Sequence, residues 1–209
     1  WPQPIRLREP AALEAARTQL AGEVNFWKGV QYLFCQQWKK LKSYANEKGV
    51  SILGDLPINT ALDSADVWAS PKQFQLDDRG CPTEVAGCPP DAFSEDGQLW
   101  GNPLYDWERM KRDGYQWWLH RVGYQLCLYD ALRIDHFRGF ESYYAIPYGD
   151  TTARNGRWRP GPGLDFFQAV NSALGKQNIV AEDLGFLTPE VHRLLQETGY
   201  PGMKVLEFA

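Results

Sequence analysis

The sequence predicts an α/β fold, namely part of a (β/α)8 barrel in which parallel strands alternate with helices. The first observation is the alternation itself, because short apolar runs are separated by stretches of helical periodicity. The second is that three of the four runs end on a carboxylate, at Asp55, Asp135 and Glu182. Active-site residues of such barrels lie at the carboxyl ends of the strands, so these three side chains are predicted to share one site.

Two helices are predicted at the amino-terminal end, over about residues 10–21 and 24–47. Apolar residues recur at intervals of three and four in both stretches. Pro10 is suited to the first turn of a helix, where its missing N–H costs nothing. Gly22 is expected to end the first helix and Gly49 the second.

Four short buried strands are predicted where the apolar runs lie. They cover about residues 50–55, 131–136, 178–183 and 203–208. Most of the Pro and Gly residues fall between the first two runs, so residues 57–103 are predicted to form a long irregular insertion. Because this insertion follows the carboxyl end of a strand, we expect it on the active-site side. A smaller insertion is expected before the third strand.

Three further helices are predicted between the strands. They cover about residues 104–131, 166–174 and 188–199. Gly114 is expected to divide the first of them into two, and Gly175 is expected to end the second. Thr188 has the character of an N-cap for the third, with Pro189 at the first helical position.

The composition limits the possible classes of function. The chain has 209 residues with 22 Lys or Arg and 26 Asp or Glu, and its formal net charge of -4 argues against a nucleic-acid partner. No apolar run approaches the roughly 18 residues of a membrane span. Aromatic residues make up 14%, which indicates either a large core or a surface that stacks on sugar rings. The four cysteines form no C-x-x-C pair and the three histidines are far apart, which predicts reduced thiols, a cytoplasmic location and no metal site.

The carboxylates suggest glycosidic bond chemistry. Arg133 and Asp135 are two residues apart on a predicted strand, so both point the same way, and the arginine keeps the carboxylate ionised. Glu182 has no obvious fixed cation and could carry the proton of a general acid. Cleavage of a glycosidic bond uses two such carboxylates, about 5–5.5 Å apart in a retaining enzyme. The alternatives are a structural ion pair for Arg133 and Asp135, and helix-cap or loop acidity for Glu182.

Seven segments, taken in order, resemble the 4-α-glucanotransferase family, the amylomaltases or disproportionating enzymes, which are relatives of the α-amylases. The segments are GDLPI at 54–58, DSADVW at 63–68, VAGCPPD at 85–91, WGNPLY at 100–105, RIDHFRGF at 133–140, AEDLG at 181–185 and PGMKVL at 201–206. Together they cover nearly the whole chain and are specific, whereas one alone would be weak. The resemblance implies that residues 1–209 are a fragment of the catalytic barrel, holding about strands 3–6, with the insertion at 57–103 over a sugar groove.

The resemblance also implies roles for individual residues. Asp135 matches the nucleophile of the family and Glu182 matches the general acid/base. Asp55 matches an aspartate that hydrogen-bonds the donor sugar, and Arg133 matches the arginine that orients the nucleophile. His136 matches a histidine beside the nucleophile, although strand alternation would turn it away from Asp135.

Three residues of the insertion are further candidates for binding the glucan. Phe93 and Trp100 are expected to stack on glucose rings, and the alternative is that both pack within the core of the loop. Asn102 follows Trp100 closely in the WGNPLY segment and is expected to contact the substrate.

The implied activity is the transfer of α-1,4-glucan segments between glucans by a retaining double displacement. The implied partner is a maltooligosaccharide or a starch- or glycogen-type glucan, with no cofactor, no metal, no nucleic acid and no membrane. The location would be cytoplasmic, or the plastid stroma in a plant, and the oligomeric state is left open. A third carboxylate of the family has no counterpart here, so the 209 residues alone are expected to be inactive. The alternatives are an α-amylase-like retaining hydrolase and a non-catalytic glucan-binding relative.

Overall fold

The structure is a computed structural model that describes residues 1–185 and 187–208, and its contacts divide the chain into two compact units. The first unit, Trp1–Ile52, consists of helices α1 (Gln3–Arg6), α2 (Pro10–Gln19) and α3 (Ala21–Glu47). The two predicted helices are confirmed. The predicted end at Gly22 is wrong, because the break falls at Leu20, with φ -101° and ψ 16°, and Gly22 lies inside α3.

Helix α3 spans 27 residues and carries large apolar side chains along its length. Phe26, Trp27 and Leu33 are each more than half exposed, and the rings of Phe26 and Trp27 meet edge-on with centroids 5.4 Å apart. In the part of the chain that the structure describes, no helix, α3 included, has the length and apolar character needed to cross a membrane.

The second unit begins at Leu53 and contains the remaining elements. Its strands are β1 (Leu53–Leu56), β2 (Glu84–Cys88), β3 (Gln98–Pro103), β4 (Ala131–Ile134), β5 (Ser142–Pro147), β6 (Arg157–Pro160) and β7 (Ile179–Ala181). Its helices are α4 (Ala65–Ala69), α5 (Trp107–Arg112), α6 (Gln116–Leu128), α7 (Gly163–Leu174) and α8 (Pro189–Thr198).

Strands β1, β4 and β7 form a parallel sheet in that order, which confirms three of the four predicted strands. Helix α6 precedes β4 and helix α7 precedes β7, as parallel strands require helical crossovers. In the register, Asp55 pairs with Arg133 and Ile134 pairs with Ala181. Asp135 directly follows β4, so the carboxylates gather at the carboxyl end of this sheet, as predicted.

The prediction that residues 57–103 are irregular is wrong. They contain α4, a 3-10 turn at Pro71–Gln73, and the strands β2 and β3. The second insertion supplies β5 and β6, so the two insertions build one antiparallel sheet in the order β3-β2-β5-β6. These strands are short, contain Gly or Pro, and depend on the pairing of β2 with the distant β5, none of which periodicity reveals.

The fourth predicted strand, over 203–208, is also wrong. Leu206–Phe208 form a 3-10 turn, and the link to β7 is one backbone hydrogen bond, 2.9 Å long, from the N–H of Ala181 to the oxygen of Pro201. The backbone N–H of Met203 donates instead to the side chain of Asp183, so it is not available for pairing with a neighbouring strand. An apolar β-type sequence forms a strand only where a neighbouring strand offers its backbone groups.

The predicted helices of this unit are confirmed with small shifts at their ends. The stretch 104–131 forms α5 and α6, and Gly114 between them has φ +71°. The hydroxyl of Thr188 accepts the N–H of Val191, as an N-cap does. Helix α7 ends before Gly175, which has φ +75°.

Helices α6 and α7 contribute to an aromatic core beside the parallel sheet. The most buried large side chains include Trp118, Phe140, Phe166 and Phe167, each at most 1% exposed. The rings of Phe140 and Phe166 stack with centroids 4.8 Å apart. Many of the aromatic residues of this unit therefore lie in the core, which is one of the two explanations that the composition allowed.

Candidate active site

Arg133 lies between two carboxylates at the carboxyl end of the parallel sheet. Its Nη1 is 2.6 Å from Oδ1 of Asp55 on the neighbouring strand, and its Nη2 is 3.0 Å from Oδ1 of Asp135. Partial burial lowers the pKa of the Arg133 guanidinium, but the hydrogen bond and charge of Asp55, joined by those of Asp135, outweigh it and hold that pKa above its ordinary value. The guanidinium is therefore a fixed positive charge at every working pH.

Asp135 is held on one side and open on the other. Its backbone N–H donates to the oxygen of Leu56 at 3.1 Å, which ties the residue to the end of β1. Its side chain is 41% exposed while paired with Arg133. A carboxylate that is oriented by a guanidinium and open to solvent can attack an electrophile that enters from the open side.

Glu182 follows β7 as Asp135 follows β4. Its backbone N–H donates to the oxygen of Ile134 at 2.9 Å, so it lies one register position beyond the last paired residues of the two strands. Its Oε2 accepts the N–H of His136 at 2.8 Å and its Oε1 accepts the N–H of Leu184 at 2.9 Å. Neighbouring strands are about 4.8 Å apart, which places the two carboxylates on adjacent positions of one edge.

His136 contacts both Glu182, at the end of the parallel sheet, and the antiparallel sheet. Its backbone is left-handed, with φ 51° and ψ 50°, which ends the strand alternation that predicted its direction. Its ring meets that of Trp100, on β3, edge-on with centroids 5.0 Å apart. Burial, helped by the Arg138 cation and opposed by Asp135, lowers the pKa of the His136 imidazole to about 4. The imidazole is therefore neutral at neutral pH.

The three candidate residues of the insertion lie in different settings. Trp100 is 36% exposed, and its Nε1 donates to Oε1 of Gln98 at 3.0 Å. The ring of Phe93 is fully exposed, so packing within the core of the loop is wrong for this residue. The Nδ2 of Asn102 donates to the oxygen of Thr60 at 2.9 Å, so this amide supports the backbone after β1.

Two residues that were not predicted as site residues hold the turn after β1. Nη2 of Arg121 donates to the oxygen of Pro57 at 2.8 Å, and the hydroxyl of Tyr105 donates to the oxygen of Ile58 at 2.7 Å. Arg121 also lies over the ring of Trp118, 4.8 Å from its centroid. Helical periodicity places Arg121 on α6 but carries no sign of these contacts, which depend on how α6 packs.

The structure thus joins Asp55, Arg133 and Asp135 by ion pairs, and joins His136 to Glu182 by a hydrogen bond from its backbone N–H to the carboxylate. Two further side chains at this edge were not predicted as site residues, Asp183 and Met203. Among the residues that the structure describes, no group of three His, Cys, Asp or Glu side chains is placed to hold a metal ion. Asp135 and Glu182 are thus two carboxylates at neighbouring strand ends, and carboxylates are side chains that serve enzymes as nucleophiles and as proton donors or acceptors.

Comparisons with known proteins find relatives that are similar over the whole chain. The family model described as 4-alpha-glucanotransferase matches residues 1–209. The chain is 54% identical over 210 residues to the 4-alpha-glucanotransferase of Streptococcus pneumoniae serotype 4, covering 100% of this chain and 42% of the relative. It is 49% identical over 209 residues to the chloroplastic/amyloplastic 4-alpha-glucanotransferase of Solanum tuberosum, covering 100% of this chain and 36% of the relative.

A solved structure is also similar over the whole chain. The amylomaltase from Streptococcus agalactiae in complex with acarbose matches with a TM-score of 0.97 and 44% identity, covering 100% of this chain and 42% of that chain. The chain therefore spans about two fifths of the length of the relatives that it matches.

Proposed function

The chain belongs to the 4-alpha-glucanotransferase family, and on that premise we propose that its site transfers α-1,4-glucan segments between glucans. The observation that carries the proposal is the placement of Asp135 and Glu182 directly after adjacent parallel strands, one beside a guanidinium and the other oriented by backbone N–H groups. Two carboxylates in unlike surroundings are what a retaining double displacement uses.

In the proposed mechanism, Glu182 donates a proton to the glycosidic oxygen while Asp135 attacks the anomeric carbon. The product of this step is a β-linked glycosyl-enzyme, and the shortened glucan leaves. Glu182 then takes the proton from the 4-hydroxyl of an incoming glucan, which attacks the anomeric carbon and releases Asp135. Two inversions give net retention of the α configuration.

The other residues would prepare this reaction. Arg133 fixes the direction of Asp135, because its guanidinium is charged at every working pH and lies 3.0 Å from the carboxylate. Asp55 is the proposed hydrogen-bond acceptor for the donor sugar. Its side chain is 59% exposed while paired with Arg133, which leaves it accessible. Phe93 and Trp100 are proposed to stack on glucose rings, and Asn102 supports the segment after β1.

The parallel sheet is proposed to be part of a (β/α)8 barrel, with β1, β4 and β7 as barrel strands 3, 4 and 5. The order of the strands in the sheet equals their order in the chain, as a barrel requires. The antiparallel sheet would then stand at the catalytic end, since Trp100 on β3 contacts His136. The third carboxylate that the family resemblance implies would come from chain outside these residues.

The proposed substrates are maltooligosaccharides and starch- or glycogen-type glucans, in the cytoplasm or, in a plant, the plastid stroma. Acarbose, the ligand of the similar Streptococcus agalactiae amylomaltase, is expected to occupy the same site. A hydrolase would use the same carboxylates with water as the acceptor, and a binding relative would leave the glucan unchanged.

The test uses the full-length form, by which we mean these 209 residues within a chain of the relatives' length. It is incubated with maltotriose, and the products are separated by chromatography. A transferase converts two maltotrioses into maltopentaose and glucose, and Asp135→Asn abolishes this while Asp78→Asn, at an exposed carboxylate, does not. Glucose and maltose without longer products would instead indicate a hydrolase, and no products with retained acarbose binding would indicate a binding protein.

A further inference from the structure

The guanidinium of Arg133 has a third partner besides its two carboxylates. Its Nε lies 3.3 Å from the sulfur of Met203, while Nη1 and Nη2 face Asp55 and Asp135. The guanidinium is planar and rigid, so partners at three of its nitrogens fix its plane. The direction of Asp135 depends on that plane, because the ion pair joins them at 3.0 Å.

Met203 is held in turn by Asp183. The Oδ1 of Asp183 accepts the backbone N–H of Met203 at 2.7 Å, and both side chains are half-buried. Pro201, two residues earlier, accepts the N–H of Ala181 at 2.9 Å. A Cβ at Gly202 would overlap the Asp183 carboxylate, so a side chain there would displace the side chain of Asp183.

Asp183 and its neighbour Glu182 accept hydrogen bonds from different segments of the chain. Both oxygens of Glu182 face the turn after β4 and the start of its own loop, through the N–H groups of His136 and Leu184. Asp183 faces the segment at 201–203 through the N–H of Met203. The mechanism above gives Asp183 no proton or bond to exchange, and its contact is with backbone.

We infer that Asp183 is a positioning residue, which seats Met203 against Arg133 and so holds the Arg133–Asp135 ion pair in its reactive direction. The inference rests on the proposed function, since it assigns to Asp183 the support of the proposed nucleophile. It predicts that loss of Asp183 displaces Met203 and Arg133, and so lowers kcat by changing the direction of Asp135.

The experiment measures kcat and KM for maltotriose disproportionation by the full-length form. Asp183→Ala is expected to lower kcat by about 10- to 100-fold with KM changed less than threefold, since a misplaced group costs reaction rate. Asp183→Asn keeps an oxygen that accepts the same N–H, and is expected to restore most of the loss.

Two further variants separate positioning from folding. Met203→Leu keeps the volume but removes the sulfur acceptor, and is expected to lower kcat about fivefold with KM changed less than threefold. Asp77→Ala is the control, because Asp77 also accepts backbone N–H groups, from Arg79 and Cys81, and lies outside the site described above. Its kcat and KM are expected to stay within twofold of those of the unchanged enzyme.

The inference is overturned if Asp183→Ala keeps kcat within twofold. It is equally overturned if Asp183→Ala loses activity while Met203→Leu matches the unchanged enzyme, since the effect of Asp183 then does not pass through Met203. Absence of maltopentaose from the unchanged full-length form would instead overturn the proposed function, so the two failures are distinct.

Discussion

Arg133 and Asp135 form an ion pair along one strand, with 3.0 Å between Nη2 and Oδ1, and the same guanidinium reaches Asp55 on the neighbouring strand at 2.6 Å. One cation thus orients two carboxylates that the chain separates by a long insertion. The arrangement is a direct consequence of the parallel register, in which Asp55 pairs with Arg133.

Replacement of Arg133 by Gln is expected to lower kcat/KM of the full-length form by about 100- to 1,000-fold. The measurement is the initial rate of maltotriose disproportionation over a range of substrate concentrations. The control is Arg154→Gln, which breaks exposed pairs with Glu95 and Asp96 and is expected to leave kcat/KM unchanged. A kcat/KM of Arg133→Gln within twofold of that of the unchanged enzyme would contradict the proposed role.

His136 is expected to make the stability of the protein depend on pH. Its pKa is about 4 in the folded state, against an ordinary value near 6.5, so the unfolded chain takes up the proton first as the pH falls. The stability from this residue is complete above pH 6.5 and is lost between pH 6.5 and 4, by up to about 3 kcal/mol.

Urea unfolding of the full-length form at pH 7, 5.5 and 4.5 tests this prediction. His136→Asn removes the titrating group, and asparagine tolerates the left-handed backbone at this position. The variant is expected to lose less stability than the unchanged protein as the pH falls. His192→Asn, at an exposed histidine, is expected to keep the original slope. Equal slopes for His136→Asn and the unchanged protein would refute the prediction.

Glu84 is expected to stabilise the antiparallel sheet. It is buried on β2, and its Oε1 and Oε2 lie 2.8 Å from Arg157 and 2.7 Å from Arg159, both on β6. Glu84→Gln leaves two cations facing a neutral amide and is expected to cost about 1–3 kcal/mol in the free energy of unfolding. The matched control is Glu95→Gln, at a side chain 90% exposed and paired with Arg154, which is expected to cost less than about 1 kcal/mol. Equal costs for the two variants, measured in urea, would contradict the prediction.

Phe93 is expected to affect substrate binding without affecting stability. Its ring is fully exposed, so Phe93→Ala removes no packing and leaves the Tm unchanged. If the ring stacks on glucose, its removal costs about 1 kcal/mol of binding free energy and raises the KM for long maltooligosaccharides about fivefold. The comparison is with Phe74→Ala, a buried ring, which is expected to lower the Tm. An unchanged KM for every chain length would exclude stacking by Phe93.

The sequence predicted the parts of the site that a strand end determines. Asp55, Asp135 and Glu182 follow apolar runs, and the parallel pairing of those runs is enough to gather them. The contact between Met203 and Arg133 could not be predicted from the sequence. The stretch 203–208 has a strand-like sequence, but Met203 donates its N–H to Asp183.

The antiparallel sheet was also missed, for a different physical reason. Its central pair joins β2 to β5 across a large sequence separation, and each strand is stabilised by cross-strand contacts rather than by local preference. The direction of His136 depended on its left-handed backbone, which the composition of the RIDHFRGF segment does not reveal.

The most direct test of the proposed mechanism is to trap the covalent intermediate on the full-length Glu182→Gln variant. α-Maltosyl fluoride supplies a leaving group that departs without a proton, so Asp135 can be glycosylated while the second step lacks its base. Mass spectrometry of the digested protein is expected to find one maltosyl group on the peptide that contains Asp135, and none in the double variant with Asp135→Asn. A maltosyl group on another carboxylate, or no adduct while the fluoride is bound, would contradict the assignment of Asp135 as the nucleophile.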